Sequence, residues 1–382
     1  MPKRLEQQKK NQMPKTNETV LEIDFNALTH NFNYLKSKLP PKTKFLAVVK
    51  AFAYGHDSVA IAKHLEKKLH VDYLAVAYAK EGVALRDAGI TTPILVLHPQ
   101  PINFDTIIDR CLEPSIYNAK VLKEFIDIAE KKKQSLYPIH IKFNTGLNRL
   151  GFWENDVDYI ISKLSNTSSI KVKSLFSHLA ASEDHNEREF TQNQILNFKS
   201  IVHNFFNGID YTPWLHMTNT SGILNYPEAH FDMVRSGIGL YGFGNSAQED
   251  KNLKPVASLK SIISQTHHIE PGETVGYNRA YTAKHYEKTA TIPIGHADGI
   301  GRHYGNEKAC VMINGQKAPI IGNVCMDMIM VRITDIDCKE GDEVIIFDAN
   351  SKASNFAEFA NTISYEILTS ISQRVKRIFL NF

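Results

Sequence analysis

Eight short apolar runs, each separated from the next by a helical pattern, predict a (β/α)8 barrel of the TIM type, and a β-rich stretch after them predicts a second, mostly β domain. Two further observations agree. The span of the runs is close to the ~250 residues typical of such barrels. The whole chain, at 382 residues, exceeds the size at which a single hydrophobic core stops growing. Eight runs with helices between them fit a closed barrel better than an open doubly wound sheet.

Taken in order, residues 1–19 are rich in Lys, Gln and Asn with almost nothing to bury, and are expected to be disordered. The barrel is expected over 20–252. Its strand candidates are FLAVVKA from Phe45, YLAVAY from Tyr73, PILVLH from Pro93, LEPSIY from Leu112, IHIKFN from Ile139, VKSLFSHL from Val172, WLHMTN from Trp214 and MVRSGIGLYG from Met233. Between them, VAIAKHLEKK after Asp57 and VLKEFIDIAEKKK after Lys120 repeat apolar residues at three- and four-residue spacing, as amphipathic helices do. From about Leu253 the texture changes to short β-type runs with Gly and Pro turns: VASLKSIISQTHHI, TATIPI, ACVMI, MIMVRI and DEVIIF. A mostly β domain is therefore expected over 253–382, closed by a helix-like segment, SYEILTSISQRVKRIF.

Composition narrows the function classes. Apolar content of 43%, charged content of 22% and a net charge of +3 are those of an ordinary globular protein and argue against nucleic acid as a partner. No apolar run is long enough to span a bilayer, and the polar N-terminus lacks the apolar core of a signal peptide, so a cytoplasmic location is expected. Cys111, Cys310, Cys325 and Cys338 show no CxxC spacing, which points away from zinc and from a disulfide framework. Neither GxGxxG after a strand nor GxxxxGK[ST] occurs.

Barrel enzymes carry their chemistry at the C-terminal ends of the strands. Here those ends hold Lys50, Tyr78, His98, Tyr117, the loop from Asn144 to Arg149, His178, Asn219 with Thr220, and Arg235. Lys50 is the most pointed. An ammonium at the exit of a buried strand is costly unless paired or chemically converted, and imine formation with an aldehyde cofactor is one such conversion. Taken alone, Lys50 reads more readily as a lysine whose stem is buried while its head reaches water; the rest of the chain reverses this.

Lys50 in VVKAFAYGH, IKFNTGLNRLGF, the pair in MTNTS, MVRSGIGLYG, VGYNRAY and CMD at 325–327 together resemble the alanine racemase family, with the motifs in the same order from about Val20 to Phe379. The resemblance implies a pyridoxal 5'-phosphate enzyme of fold type III that works as a head-to-tail homodimer on a small amino acid and feeds D-alanine into cell-wall synthesis. By the same resemblance, Lys50 would hold the cofactor and act as base on one face of the substrate Cα. Tyr277 would be the base on the other face. A phenol ordinarily titrates at about 10, so it needs help near neutrality, and His178 matches the family histidine that contacts this tyrosine; a cationic or a donor histidine would serve. Arg235 matches the arginine facing the cofactor's pyridine nitrogen, supported by His216. Tyr54, Asn219, Thr220, the backbone of Gly237 and Ile238, and Tyr365 match the phosphate site. Arg149 and the backbone of Met326 match the substrate-carboxylate contacts, with Met326 and Tyr277 supplied by the second chain. Lys142 matches a lysine often carbamylated in the family.

This chain also departs from the family pattern. Phe52 stands where Asn is usual and Asn144 where Asp is usual. His296 and Asn323 replace the common Tyr and Arg at the substrate entrance, with Glu183 expected opposite, which implies an altered gate. Racemisation of serine or of many amino acids, and a non-catalytic barrel that carries the cofactor, are the alternatives. Decarboxylation is disfavoured because barrel decarboxylases place a carboxylate where Arg235 stands.

Overall fold

The computed structural model describes residues 16–382. Disorder expected over 1–15 lies outside the described residues; Thr16–Thr19, in contrast, is ordered, with the Thr19 hydroxyl 2.6 Å from the Pro293 carbonyl, to which it donates. Two compact units divide the chain: Phe25–Lys254, and the segment ending at Asp24 together with Pro255–Phe382.

The first strand, β1 (Val20–Asp24), corrects the expected boundary at residue 20. It belongs to the β-rich unit, where it pairs antiparallel with Ala257–Ile262 and parallel with Lys376–Leu380. A five-residue run such as VLEID carries no signal of which sheet it will join. What secures it there is buried Leu21 and Ile23, and an ion pair between Glu22 and Lys260 at 2.9 Å.

All eight predicted barrel strands form: β2 (Lys44–Val48), β3 (Tyr73–Val76), β4 (Ile94–Val96), β5 (Glu113–Ile116), β6 (Tyr137–Lys142), β7 (Ile170–Phe176), β8 (Trp214–His216) and β9 (Met233–Ser236). They pair in parallel in the order β8-β7-β6-β5-β4-β3-β2-β9. At the seam between β8 and β9, the Asp232 amide donates to the Leu215 carbonyl at 3.1 Å and the Leu215 amide to the Asp232 carboxylate at 2.8 Å, so the barrel is nearly closed. Helices cover the strands because their apolar faces repeat correctly. In Ala119–Lys131, Val121, Leu122, Phe125, Ile126 and Ala129 are buried, and the Asn118 side chain caps the first turn by accepting from the Val121 amide.

Strand alternation then sorts side chains to opposite faces of the sheet. On β6, Ile139 and Ile141 share one face while His140 and Lys142 share the other, and all four are buried. Register places His140 beside Ser174 and Phe176 beside His216. Barrel interiors are ordinarily dominated by branched apolar residues. A polar set of Tyr73, Glu113, His140, Ser174 and His216 is therefore a departure that packing alone does not require.

In the other unit, nine strands form one sheet and a small hairpin, Thr274–Val275 with Tyr281–Thr282, stands apart. The predicted closing helix is corrected. Only Ser364–Ser370 is helical, and Lys376–Leu380 is a strand. Between them the Arg377 guanidinium donates to the carbonyls of Ile371 and Val375, taking main-chain acceptors that a continuing helix would have used itself.

Candidate active site

Lys50 lies two residues past the end of β2. The four residues after it, Ala51, Phe52, Ala53 and Tyr54, have φ of 52°, 56°, 54° and 53°, a left-handed turn that costs about 1–2 kcal/mol per residue. Hydrogen bonds offset part of this: the Ala53 amide donates to Val49 and the Gly55 amide to Ala51. Glu81 supplies more, accepting from the amides of Ala51 and Ala77 at 2.7 Å each and of Tyr78 at 3.2 Å. Strain held in place by a carboxylate is what a functional loop requires. The turn carries Tyr54 back toward β9, where its hydroxyl occupies the space a side chain at residue 237 would need: a Cβ there would lie 2.2 Å from the Tyr54 oxygen. Only glycine fits.

Positive charge accumulates at these strand ends. Burial and the Arg149 charge lower the Lys50 pKa, opposed by Glu81. Burial, then Arg149, Arg235 and Lys50, lower Lys142 to about 8. Arg235, only 4% exposed, is pulled down to about 9 by burial and Arg149. Among the described residues, none of these four cations has a carboxylate within ion-pairing distance. Such a set suits a ligand with several anionic groups. Asn144 holds the loop that delivers Arg149: its side-chain oxygen accepts from the Gly146 amide at 3.2 Å and the Asn148 amide at 2.9 Å, a turn an asparagine makes as well as an aspartate. The loop returns at Gly151, whose φ of 133° and close approach to the Asn144 backbone exclude a side chain.

Arg235 is held from several sides. One Nη donates to His216 Nδ1; the other donates to the carbonyls of Ser177 at 2.7 Å and Met217 at 3.1 Å and lies 3.1 Å from His178 Nδ1. Burial and the nearby Arg235 charge drive the His178 pKa well below its usual value. Of the two forms left open by the sequence, that direction and the guanidinium facing Nδ1 favour the neutral ring, with Nδ1 accepting and Nε2 left as a donor. Thr220 and Ser236 hydroxyls meet at 3.1 Å, and the Gly239 amide donates to Thr220 at 3.2 Å, beside Gly237 and Ile238 at the start of a short 3-10 turn. Asn219 caps the helix Thr220–Asn225 by accepting from the Gly222 amide at 2.8 Å, so its oxygen positions Thr220.

The β-rich unit holds the remaining predicted residues. Tyr277 sits between Gly276 and Asn278, both at positive φ, and its side chain is 70% exposed. Asn323 donates to the Tyr277 carbonyl at 3.0 Å and so holds the tyrosine backbone. Met326 is 58% exposed; its carbonyl accepts from the Ala297 amide at 3.0 Å, and the Cys325 carbonyl from the His296 amide at 2.9 Å. Arg374 braces this segment, pairing with Asp298 and Asp327 at 2.6 Å each. Tyr365 lies in the helix Ser364–Ser370, and Glu183 lies in the loop after β7. Among the described residues no cluster of His, Cys, Asp or Glu could hold a metal, and no helix is long and apolar enough to cross a membrane.

Glu81 and the polar residues inside the barrel were not anticipated from sequence. Glu81 sits three residues after Tyr78 at a helix start, a spacing that signals a capping carboxylate. His140 precedes Lys142 by two residues on the same strand, and that alternation was the available signal.

A nearly closed parallel barrel whose strand ends gather Lys50, Arg149 and Arg235 is the architecture of a barrel enzyme with a mouth suited to an anionic ligand. The chain belongs to the alanine racemase family. Residues 23–244 match its N-terminal domain and residues 256–379 its C-terminal domain. It is 38% identical over 375 residues to alanine racemase of Clostridium perfringens, covering 94% of each chain. The structure of alanine racemase from Clostridium difficile is similar, with a TM-score of 0.89 and 35% identity over 96% of this chain and 97% of that one. That from Bartonella henselae, described with covalently bound pyridoxal phosphate, superposes with a TM-score of 0.86 and 29% identity over 96% of this chain and 100% of that one.

Proposed function

We propose that this protein interconverts L- and D-alanine with pyridoxal 5'-phosphate as cofactor, supplying D-alanine for peptidoglycan from the cytoplasm. The observation that carries this is Lys50: a partly buried amine at a barrel strand end, its pKa lowered by burial and Arg149, on a loop strained into a left-handed turn. A lysine so placed is more readily deprotonated, and so a better nucleophile, than an exposed one. Bound there, the cofactor's conjugated ring supplies the electron sink that acidifies the substrate Cα–H.

The protein's own residues do the rest. Lys50 anchors the cofactor and moves a proton at one face of Cα. Tyr277 moves it at the other, because a single base returns the proton to the side it left. The neutral His178 offers Nε2–H as a donor to the tyrosine oxygen. Arg235, an obligate donor, would favour an unprotonated ring nitrogen in a cofactor held against it, which would limit delocalisation and favour proton return over side reactions. Tyr54, Thr220 and the backbone of Gly237 and Ile238, aided by Tyr365, hold the phosphate with neutral donors. Arg149 and the Met326 amide take the substrate carboxylate. Lys142, whose lowered pKa leaves it more often as free amine, reacts with CO2 to give a carbamate and a proton, and the new anion steadies Arg149.

The exposure of Tyr277 and Met326 fits a homodimer in which the partner subunit's Tyr277 and the partner subunit's Met326 face Lys50. Lys50→Ala should abolish both covalent cofactor attachment and racemisation. Sizing and dilution kinetics should show activity falling as the dimer dissociates; a fully active monomer would overturn the shared site.

A further inference from the structure

Inside the barrel a chain of hydrogen bonds leads away from Arg235 toward a carboxylate that the reaction does not use. Arg235 Nη1 donates to His216 Nδ1; His216 Nε2 lies 2.8 Å from the Ser174 hydroxyl; that hydroxyl lies 2.6 Å from His140 Nδ1; and His140 Nε2 lies 2.7 Å from Glu113 Oε2. Tyr73 donates to the same Glu113 oxygen at 3.1 Å. His216, Ser174 and His140 are wholly buried. Phe176 stacks on the His216 ring with an interplanar angle of 2°, so the ring cannot turn freely.

The ends of this chain fix its direction. A guanidinium only donates and a carboxylate only accepts. His216 Nδ1 must therefore be bare and its Nε2 protonated; the Ser174 hydroxyl accepts that proton's bond and passes its own to His140 Nδ1; His140 Nε2–H completes the chain at Glu113. With both rings neutral, every link is satisfied in one arrangement of protons, and reversing any one link then sets two donors or two acceptors face to face. Burial in a nonpolar surround makes such a mismatch costly.

We propose that Glu113 and Ser174 are positioning residues that hold Arg235 in its cofactor-facing pose through a directed chain of neutral histidines. The link from Arg235 to the cofactor rests on the functional reading above; the chain itself does not. Fixing the His216 tautomer fixes the acceptor that Arg235 Nη1 requires, and the distant carboxylate partly balances a buried guanidinium that has no ion-pair partner among the described residues.

Two measurements test this. Imidazole nitrogen-15 spectra of the full-length chain, with and without pyridoxal 5'-phosphate, should show His216 and His140 neutral and protonated at Nε2. A Nδ1–H tautomer at His216, or a doubly protonated His140, would overturn the chain. In a double-mutant cycle, Glu113→Gln should weaken pyridoxal 5'-phosphate binding about fivefold in the wild-type background and leave it unchanged when Ser174→Ala has already cut the link. Ser174→Thr, which keeps the hydroxyl, should restore the coupling. Equal effects of Glu113→Gln in both backgrounds would mean ordinary packing and refute the proposal. Failure to bind pyridoxal 5'-phosphate at all would refute the functional reading instead, and the tautomers would still decide the chain.

Discussion

Replacing Lys142 with methionine should stabilise the cofactor-free protein at neutral pH and not at strongly alkaline pH. Lys142 is 7% exposed, and burial with Arg149, Arg235 and Lys50 lowers its pKa from 10.5 to about 8. A tenfold loss of proton affinity corresponds to about 1.4 kcal/mol, so the folded chain carries a penalty on the order of 3 kcal/mol whenever Lys142 is charged in both states. The unfolded chain binds this proton more tightly than the folded one. Stability therefore rises with pH between about 8 and 10.5, the penalty being complete below that window and absent above it. Denaturant unfolding of wild type and Lys142→Met in CO2-depleted buffer should show the variant ahead by about 3 kcal/mol at pH 7, with the pH-dependent part of that lead gone near pH 11. Bicarbonate should narrow the gap at pH 7.4, where about one Lys142 in five is already free amine, against about one in a thousand for an ordinary lysine. A lead of the same size at both pH values would show that lost packing and not charge decides the difference, and the reasoning would fail.

Glu81→Ala removes the acceptor for three loop amides and should destabilise the barrel unit by about 2–3 kcal/mol in chemical denaturation, while lowering kcat more than it raises KM because the Lys50 turn loosens. At the entrance, His296→Tyr with Asn323→Arg should narrow tolerance toward L-serine and larger amino acids relative to L-alanine in steady-state rates. An unchanged preference would remove these two residues from the gate.

Much of the barrel was legible because its eight strands are short β-type runs bounded by turn signals and separated by helical spacing. The sheet each strand would join was not legible. VLEID at Val20–Asp24 has the same texture as a barrel strand, and only its pairing with Ala257–Ile262 and Lys376–Leu380 assigns it elsewhere. Helical spacing in SYEILTSISQRVKRIF was equally ambiguous, since the β-branched and aromatic residues of VKRIFL also suit a strand, and the Arg377 contacts decide between them. The left-handed turn after Lys50 left no trace in AFAY, whose residues are ordinary helix or strand formers. Its cause lies 30 residues away, in Glu81. Reading His178 as cationic or as a donor needed the Arg235 contact, which no spacing reveals. Candidate residues such as Lys50, Arg149 and Arg235 were found through motifs; what surrounds them, and so how each is protonated, came from the packing.

In the proposed mechanism two bases act on opposite faces of one Cα, Lys50 from one side and the partner subunit's Tyr277 from the other. Solvent-deuterium incorporation into L-alanine and D-alanine, followed separately by NMR in wild type and Tyr277→Phe, tests it most directly. The variant should keep its covalently bound cofactor and continue to exchange D-alanine, while exchange starting from L-alanine falls far more steeply. Normal exchange from both enantiomers would contradict the two-base assignment.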